Sequence, residues 1–331
     1  MSLPADPPRR HEAAQEDVDK LLRLGSRYCV DFAWLVERDK TPSLHDGFSF
    51  TYRGILRPEG RKVALKTFRS RAFGEEDHGQ KCYSSGQWVL REVYLLCQLR
   101  HKNILLLLGI TTTFDKTISI VSPWMDRNAH EYVQDPTIDP RPLILGIAKG
   151  LRYLHDHQPP VYHGDVKGDS RFSRVLVSPF SSTLRLTLPW MAPERLDFDL
   201  DASRVTPEVD VWAFGMTALE LFTRRLPFHS LNQFPAVMTR ITRGPPPDLP
   251  GAECTYSRLT EKWWRICSLC WKYDPSQRPT MLRIVEMIVD TENDTKGHTE
   301  SRMEESLTEN HATLPSRSRS WLSIRSLFRR K

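Results

Sequence analysis

Residues 163–167 read His-Gly-Asp-Val-Lys, and residues 190–194 read Trp-Met-Ala-Pro-Glu. An aspartate and a lysine two positions apart place a proton acceptor and a positive charge in one short segment. The chain from Ser170 to Pro193 contains no Asp, Glu, Asn or Gln. Carboxylate and amide oxygens are the side-chain ligands that magnesium prefers in proteins. The interval between the two motifs therefore offers no such ligand to a metal ion.

The composition is that of an ordinary folded protein. The 331 residues are 39% hydrophobic and 27% charged, and no stretch approaches the roughly 20 apolar residues of a membrane-spanning helix. The charged N-terminus lacks an apolar core and six cysteines are irregularly spaced, so we expect a cytoplasmic protein with reduced thiols. Cys267 and Cys270 have the spacing of half a zinc site, but no second pair matches them, so we predict two buried helix residues.

The net charge of +6 is concentrated at the C-terminal end of the chain. The basic character therefore belongs to a tail, and we expect no nucleic-acid partner for the folded domain. Residues 291–315 are rich in Thr, Ser, Glu and Asn and are expected to be disordered. Between Trp321 and Phe328, apolar residues alternate with Arg and Ser. As a helix, this stretch would make weak contact with an anionic membrane surface, and a solvated basic tail is the alternative.

Hydrophobic periodicity divides the middle of the chain into two parts. The first part has an apolar helical pattern from Trp88 to Leu99 and four runs typical of strands, which are Phe48–Leu56, Lys62–Phe68, Ile104–Ile110 and Ile118–Val121. After Met125 the pattern becomes helical, at Leu143–Leu154, Val209–Thr223, Thr260–Trp271 and Thr280–Asp290. We therefore predict an α+β fold with a small β-rich lobe over residues 29–125 and a larger helical lobe over residues 126–290. Residues 1–28 form a polar N-terminal extension, and residues 291–331 form the basic tail.

The order and spacing of the motifs resemble those of a eukaryotic protein kinase domain. The resemblance covers residues 40 to about 290 and is nearest to the tyrosine-kinase-like serine/threonine branch. It implies a two-lobed kinase fold, ATP as the cofactor, and proteins as substrates or partners. Val63-Ala-Leu-Lys66 resembles the strand whose lysine holds the α and β phosphates of ATP, and Glu92 resembles the helix glutamate that pairs with this lysine.

The glycine-rich phosphate loop of the family is altered in this chain. Alignment on Tyr52-Arg-Gly54 puts Leu44, Asp46 and Ser49 at the three glycine positions, with Gly47 beside them. A shift of one residue would put Gly47 at the second glycine position. Since a carboxylate at residue 46 would face phosphate oxygens of like charge, we expect any ATP binding to be weak.

The resemblance also implies an adenine site and a catalytic loop. The stretch from Ile120 to Met125 resembles the strand and hinge that hold adenine, which makes Ser122, Trp124 and Met125 candidate cofactor-binding residues. In the 163–167 motif, Asp165 corresponds to the residue that accepts the substrate hydroxyl's proton, and Lys167 to the one that steadies the transferred phosphate.

The expected magnesium ligands are replaced in the interval after the catalytic loop. Ser170 stands where the family has a metal-binding asparagine, and an alternative alignment puts Arg174 there. Asp169 is the neighbouring oxygen donor that could substitute. Where an Asp-Phe-Gly motif should follow, the chain has residues 178–182, Ser-Pro-Phe-Ser-Ser. Magnesium binding is therefore doubtful, and no residue is assigned as a metal ligand.

Three interpretations of this pattern remain open. The first is a catalytically impaired pseudokinase that acts as an interaction module, and we prefer it. The second is an active serine/threonine kinase with an unusual metal arrangement. The third is a shortened form of an active kinase, because only twelve residues separate Val177 from Trp190, fewer than half of what a working activation segment needs.

Overall fold

The computed structural model describes residues 29–45, 49–68, 85–115, 117–168, 187–196, 205–231 and 233–294, without the side chains of 85–88 and 91. The predictions for Gly47, for residues 1–28, for the interval 169–186 and for the tail beyond residue 294 lie outside these residues. The chain divides into two compact units, Met1–Ile288 and Val289–Lys331.

Six strands form one antiparallel sheet in the first part of the chain. Their order is β1-β3-β4-β6-β5, and β2 also pairs with β3. The bounds are β1 Val36–Arg38, β2 Leu44–His45, β3 Ser49–Leu56, β4 Arg61–Phe68, β5 Gly109–Thr111 and β6 Ser119–Pro123. One face of the sheet packs into a hydrophobic cluster of Val36, Tyr52, Leu56, Val63, Leu65 and Val121.

The hairpin of β3 and β4 is the centre of this sheet. Its register runs from Ser49 opposite Phe68 to Leu56 opposite Arg61, as the alternating pattern predicts. Gly60 closes the turn with a φ of +68°, a backbone conformation that glycine adopts without steric cost. The pairing in this hairpin therefore fixes the position of each β4 side chain in the sheet.

Seven α-helices lie among the described residues. They are α1 Ser85–Gln98, α2 Ala129–Val133, α3 Arg141–His155, α4 Pro207–Thr223, α5 Phe234–Arg243, α6 Glu261–Cys270 and α7 281–294. The five helices predicted from apolar periodicity are present, whereas α2 and α5 were not predicted. Both are short, and in α5 the buried side chains are Val237 and Ile241 alone.

The predicted strand over Ile104–Ile110 is wrong for most of its length. Only Gly109 and Ile110 belong to a strand, and residues 105–108 have no regular secondary structure. Ile104 and Leu105 are nonetheless 2% exposed. An apolar run indicates burial, and burial alone does not require a ladder of backbone hydrogen bonds.

The central element of the helical lobe is α4. Every residue from Val209 to Phe222 is buried, so other parts of the lobe enclose this helix on all sides. It contacts α3, α6 and α2. Because the surrounding helices remove this whole stretch from water, each polar side chain within it must find a partner inside the protein.

A buried ion pair joins the segment before α4 to the segment before α7. Arg278 donates to both carboxylate oxygens of Glu194, at 2.6 and 2.8 Å. Its guanidinium also donates to the carbonyl oxygens of Glu208, at 3.0 Å, and Lys272, at 2.8 Å. The Arg278 side chain is 0% exposed, so this ion pair anchors the 3-10 turn Pro193–Arg195 to the body of the lobe.

Replacing Arg278 should destabilise the fold. We expect Arg278→Ala to lower the free energy of unfolding by about 3 kcal/mol, because it leaves the Glu194 carboxylate without its buried partner. Chemical denaturation followed by tryptophan fluorescence measures the change. The matched control is Arg283→Ala, which removes an arginine from an exposed pair with Glu286 and should cost no more than about 0.5 kcal/mol. Equal effects of the two substitutions would contradict an anchoring role for Arg278.

Candidate functional site

The predicted lysine and glutamate are close together between β4 and α1. Lys66 Nζ lies 3.9 Å from Glu92 Oε1, and the side chains are 9% and 0% exposed. This distance is within ion-pair range but longer than a hydrogen bond. The ammonium group also lies 5.1 Å from the centre of the Phe68 ring. The structure thus brings two charges that are distant in sequence into a buried position where a phosphate group could replace or join the carboxylate.

The predicted adenine-side residues lie at the end of β6. Ser122 is 4% exposed and stands opposite Ala64 of β4. The Trp124 backbone N–H donates to the Lys62 carbonyl at 3.3 Å, and both Trp124 and Met125 are half-buried. A small buried residue is thus followed by two partly exposed apolar side chains just beyond the end of β6, which lies between β4 and β5.

The predicted phosphate loop corresponds to the hairpin between β2 and β3. Leu44 pairs with Thr51 and His45 pairs with Phe50, so these strands converge on residues 46–48. Leu44 and Ser49, at two of the three glycine positions, are strand residues, and Ser49 is 1% exposed. Asp46 and Gly47, which would contact phosphate, lie outside the described residues.

The predicted catalytic residues Asp165 and Lys167 share one loop, and Asp165 also lines a small cavity. Lys167 Nζ lies 3.8 Å from Asp165 Oδ2, with side-chain exposures of 12% and 18%. The Asp165 backbone N–H donates to His163 Nδ1 at 3.0 Å. A cavity of about 20 Å³ lies against Asp165, enough for about one water molecule. A proton acceptor and a positive charge therefore stand side by side, and the cavity against Asp165 is lined mainly by apolar residues.

The loop is held in place by a buried carboxylate on α4. Asp210 accepts hydrogen bonds from the backbone N–H groups of His163 and Gly164, both at 2.7 Å, and lies 2.9 Å from His155 Nε2. Its side chain is 0% exposed. Burial lowers the pKa of His163 to about 4, so the ring is neutral at physiological pH and its Nδ1 can accept the hydrogen bond from Asp165.

Gly164 has a backbone conformation that explains the residue type. Its φ is +75°, and a Cβ there would lie 3.1 Å from the Val205 side chain. Glycine removes both the conformational strain and the steric overlap. The position that carries an arginine in many kinases therefore supplies no charge to this site.

Arg195 brings a positive charge to the same cavity. Burial lowers the pKa of its guanidinium, and the nearby carboxylates of Asp165 and Asp210 act in the opposite direction. Its Nε and Nη1 atoms are shielded from solvent and have no hydrogen-bond partner among the described residues. This arginine was not among the predicted site residues, since nothing in its sequence context marks it.

Glu220 is a second buried carboxylate that the predicted site did not include. It accepts from the Gly168 backbone N–H at 3.0 Å and from Trp190 Nε1 at 2.9 Å, and lies 2.8 Å from His130 Nδ1. Burial raises its pKa, and these hydrogen bonds act in the opposite direction. A Cβ at residue 168 would lie 2.8 Å from this carboxyl group. The sequence did offer a signal for a buried, partnered group, because Glu220 is the single charged residue in the apolar run from Val211 to Phe222.

The described residues do not form a metal site. Within this part of the chain, no group of three or more His, Cys, Asp and Glu side chains could hold a metal ion. Of the residues that line the cavity, Asp165 alone carries a carboxylate. The substitutes considered for the magnesium ligands, Asp169, Ser170 and Arg174, lie outside the described residues. The described residues by themselves therefore supply one carboxylate, Asp165, to this cavity.

Two further predictions concern metals and membranes. Cys267 and Cys270 are fully buried on α6, as expected for helix residues of the core, and burial raises the pKa of the Cys267 thiol to about 12. No helix within the described ranges is both long and apolar enough to cross a membrane.

Comparison with known proteins agrees with this geometry. The family model described as protein kinase domain matches residues 46–289. The chain is 29% identical over 265 residues to the probable serine/threonine-protein kinase drkC of Dictyostelium discoideum, covering 73% of this chain and 32% of that protein. It is 28% identical over 253 residues to the serine/threonine-protein kinase CTR1 of Arabidopsis thaliana, covering 69% and 28%. Mitogen-activated protein kinase kinase kinase 10 of Xenopus laevis is 25% identical over 276 residues, covering 74% and 25%.

The chain spans about a third or less of the length of these three relatives. The family match, in contrast, covers most of the chain and includes both the sheet and the helical lobe. The chain therefore belongs to the protein kinase family and contains a domain like those of serine/threonine protein kinases.

Proposed function

We propose that this chain is a pseudokinase, a kinase-fold protein with impaired phosphate transfer that acts as an interaction module for other proteins. One observation carries the proposal. The segment from Ser170 to Pro193 holds no carboxylate or amide side chain, and this is where kinases place their magnesium ligands. Asp165 can then still accept a proton, but no metal-bound phosphate lies beside it.

The loss of magnesium has a calculable consequence for the reaction. The ion neutralises charge between the β and γ phosphates and contributes several kcal/mol to the transition state. Since about 1.4 kcal/mol corresponds to a factor of ten in rate, a loss of about 4 kcal/mol slows transfer about a thousandfold. The chain is therefore expected to transfer phosphate very slowly even if it binds ATP.

The nucleotide site retains part of its binding chemistry. We assign Lys66, held by Glu92, to the phosphates, and Ser122, Trp124 and Met125 to the adenine side. The buried lysine supports this assignment, since an ammonium group 9% exposed gains from a phosphate partner in a low-dielectric site. A carboxylate at Asp46 would weaken ATP binding, because it would repel the phosphates. The affinity for ATP is therefore expected to be weak.

The nucleotide assignment is tested by a lysine substitution. An ATP analogue should raise the melting temperature of the chain slightly, and equally with and without magnesium, because the metal ligands are missing. Lys66→Met should abolish this shift. Lys62→Met is the matched control, since Lys62 stands on the same strand but is exposed, and this variant should retain the shift. A stabilisation that requires magnesium would contradict the proposal, and a shift that survives in Lys66→Met would contradict the role of that lysine.

Catalysis is tested separately from binding. With a generic basic protein substrate, phosphate transfer by the chain should be at least about a thousandfold slower than by an active serine/threonine kinase. Any transfer that remains should not depend on magnesium. Asp165→Asn removes the proton acceptor and preserves the side-chain shape. Because the proposal leaves no metal-bound phosphate beside Asp165, this variant should transfer phosphate at the same residual rate as the unsubstituted chain. Magnesium-dependent turnover that Asp165→Asn abolishes would overturn the pseudokinase proposal.

A second candidate, a shortened form of an active kinase, is favoured by one specific observation. Twelve residues separate Val177 from Trp190, while the structure keeps the Lys66–Glu92 and Asp165–Lys167 pairs on either side of the nucleotide site. Loss of one continuous segment would leave flanking motifs intact. Reading the coding transcript across this interval tests the idea, and a continuous, fully covered reading frame would count against it.

We further propose a role for the parts of the chain around the domain. The lobes are assigned to residues 29–125 and 126–290 of a cytoplasmic protein, with the extension 1–28 and the tail 291–331 outside them. The tail from Trp321 to Phe328 is proposed to touch anionic membrane surfaces weakly. A peptide of residues 311–331 should bind anionic liposomes at low salt and lose this binding at high salt. Absence of binding at low salt would contradict the proposed membrane contact of the tail.

A further inference from the structure

A run of prolines follows α5 on the surface of the helical lobe. Residues 245–250 read Pro-Pro-Pro-Asp-Leu-Pro and belong to no helix or strand. A proline ring fixes its own φ near −65°, and the residue before a proline is driven to extended ψ values. Gly244, which precedes the run, has a φ of −86° and a ψ of 167°, in the region of the polyproline II helix. Residues 245–250, called the proline segment below, are therefore confined to this conformation at most of their backbone angles.

The burial of the proline segment repeats every three residues. A polyproline II helix has three residues per turn, so residues i and i+3 lie on the same edge. The half-buried residues are Gly244, Pro247 and Pro250, and the four residues between them are exposed. One edge of the segment therefore lies against the domain and two edges face solvent. One of the solvent-facing edges carries Pro246 and Leu249, and Leu249 is 61% exposed.

Arg240 of α5 holds the proline segment in its extended shape. Its Nε donates to the Pro245 carbonyl at 3.1 Å, and its Nη2 donates to the Pro246 carbonyl at 3.2 Å. The same Nη2 lies 3.1 Å from Asp248 Oδ2. Gly244 makes room for the arginine, since a Cβ at that position would lie 2.6 Å from Arg240 Cδ. A single side chain thus joins three residues of the segment to the end of α5.

The helix that carries Arg240 is itself fixed to the lobe. Val237 and Ile241 are its buried side chains, and the Tyr273 hydroxyl donates to the Ile241 carbonyl at 2.6 Å. The proline segment is therefore displayed on an anchored helix end.

The exposed edges of the segment specify the chemistry of a partner. A polyproline II helix has no internal hydrogen bonds, and protein domains with grooves lined by aromatic side chains recognise it through its rings and its shape. The segment is already extended in the free chain, so binding costs less ordering entropy than binding of a flexible peptide. The Asp248 side chain is 88% exposed, and this carboxylate disfavours contact with an anionic membrane or a nucleic acid.

We propose that the proline segment is a docking site for a protein domain with an aromatic-lined polyproline groove, and that the edge of Pro246 and Leu249 enters the groove. This inference names a kind of partner and a surface away from the nucleotide site. It does not rest on the loss of phosphate transfer, so the binding experiment below and the phosphate-transfer assay above can fail independently.

The experiment measures binding of the full chain to immobilised SH3, WW and EVH1 domains by biolayer interferometry. These three domain types have aromatic-lined grooves for polyproline II ligands, and at least one of them should bind saturably. A free peptide of residues 243–251 should compete with the chain, but only at a concentration about tenfold higher, because the free peptide must be ordered on binding. Absence of saturable binding to all three types would overturn the proposal.

Matched double variants locate the binding surface. Pro246→Ser combined with Leu249→Ser removes the apolar edge and should weaken binding at least about tenfold. The control combines Pro136→Ser with Leu282→Ser, which removes an exposed proline and an exposed leucine from other parts of the domain, and should bind like the unsubstituted chain. Melting temperatures of both double variants verify that the fold is kept. Full binding by the variant that lacks Pro246 and Leu249 would overturn the proposal.

A third variant tests the role of Arg240 without altering the docking edge. Arg240→Gln removes the hydrogen bonds to the segment's carbonyl groups and keeps its proline and leucine side chains. Affinity of the chain should fall about threefold to tenfold, towards that of the free peptide. An affinity equal to that of the unsubstituted chain would contradict the holding of the segment by Arg240.

Discussion

The geometry of the catalytic loop depends on the carboxylate of Asp210. This side chain is removed from water on α4 and is satisfied by the backbone N–H groups of His163 and Gly164. A buried carboxylate without such donors would cost several kcal/mol, so the loop and the helix stabilise each other. Because the donors are backbone groups, the interaction is independent of the side chain at residue 164. The loop therefore keeps its shape although glycine stands at that position.

Glu220 extends the same arrangement to the other end of the loop. It stands ten residues after Asp210 on α4, about 15 Å along the helix axis, and accepts from the Gly168 N–H. Four residues of extended chain span about 14 Å, so the loop from Gly164 to Gly168 can lie along the helix between the two carboxylates. Asp165 and Lys167 fall between these two fixed points, and their separation of 3.8 Å follows from how both ends are held.

Much of the fold and part of the site could be predicted from the sequence. Periodicity located β3, β4 and five helices, and the two motifs around Lys66 and Glu92 indicated that these residues form a pair. Periodicity failed at residues 105–108, which have no regular secondary structure although the run begins with the buried side chains of Ile104 and Leu105. The partners of Glu220 come from three separate segments, and no local pattern encodes such a meeting.

The two carboxylates on α4 also limit what the preserved loop says about catalysis. Asp210 and Glu220 must be satisfied for α4 to be buried, so selection for a stable helical lobe is sufficient to retain the loop's backbone path. Magnesium ligands have no comparable role in stabilising the fold, since their side chains would face a nucleotide and not the hydrophobic core. A chain that no longer transfers phosphate can therefore lose its metal ligands while the loop around Asp165 keeps its geometry. The intact loop therefore reflects the stability of the helical lobe. The capacity for phosphate transfer depends instead on the segment that follows the loop.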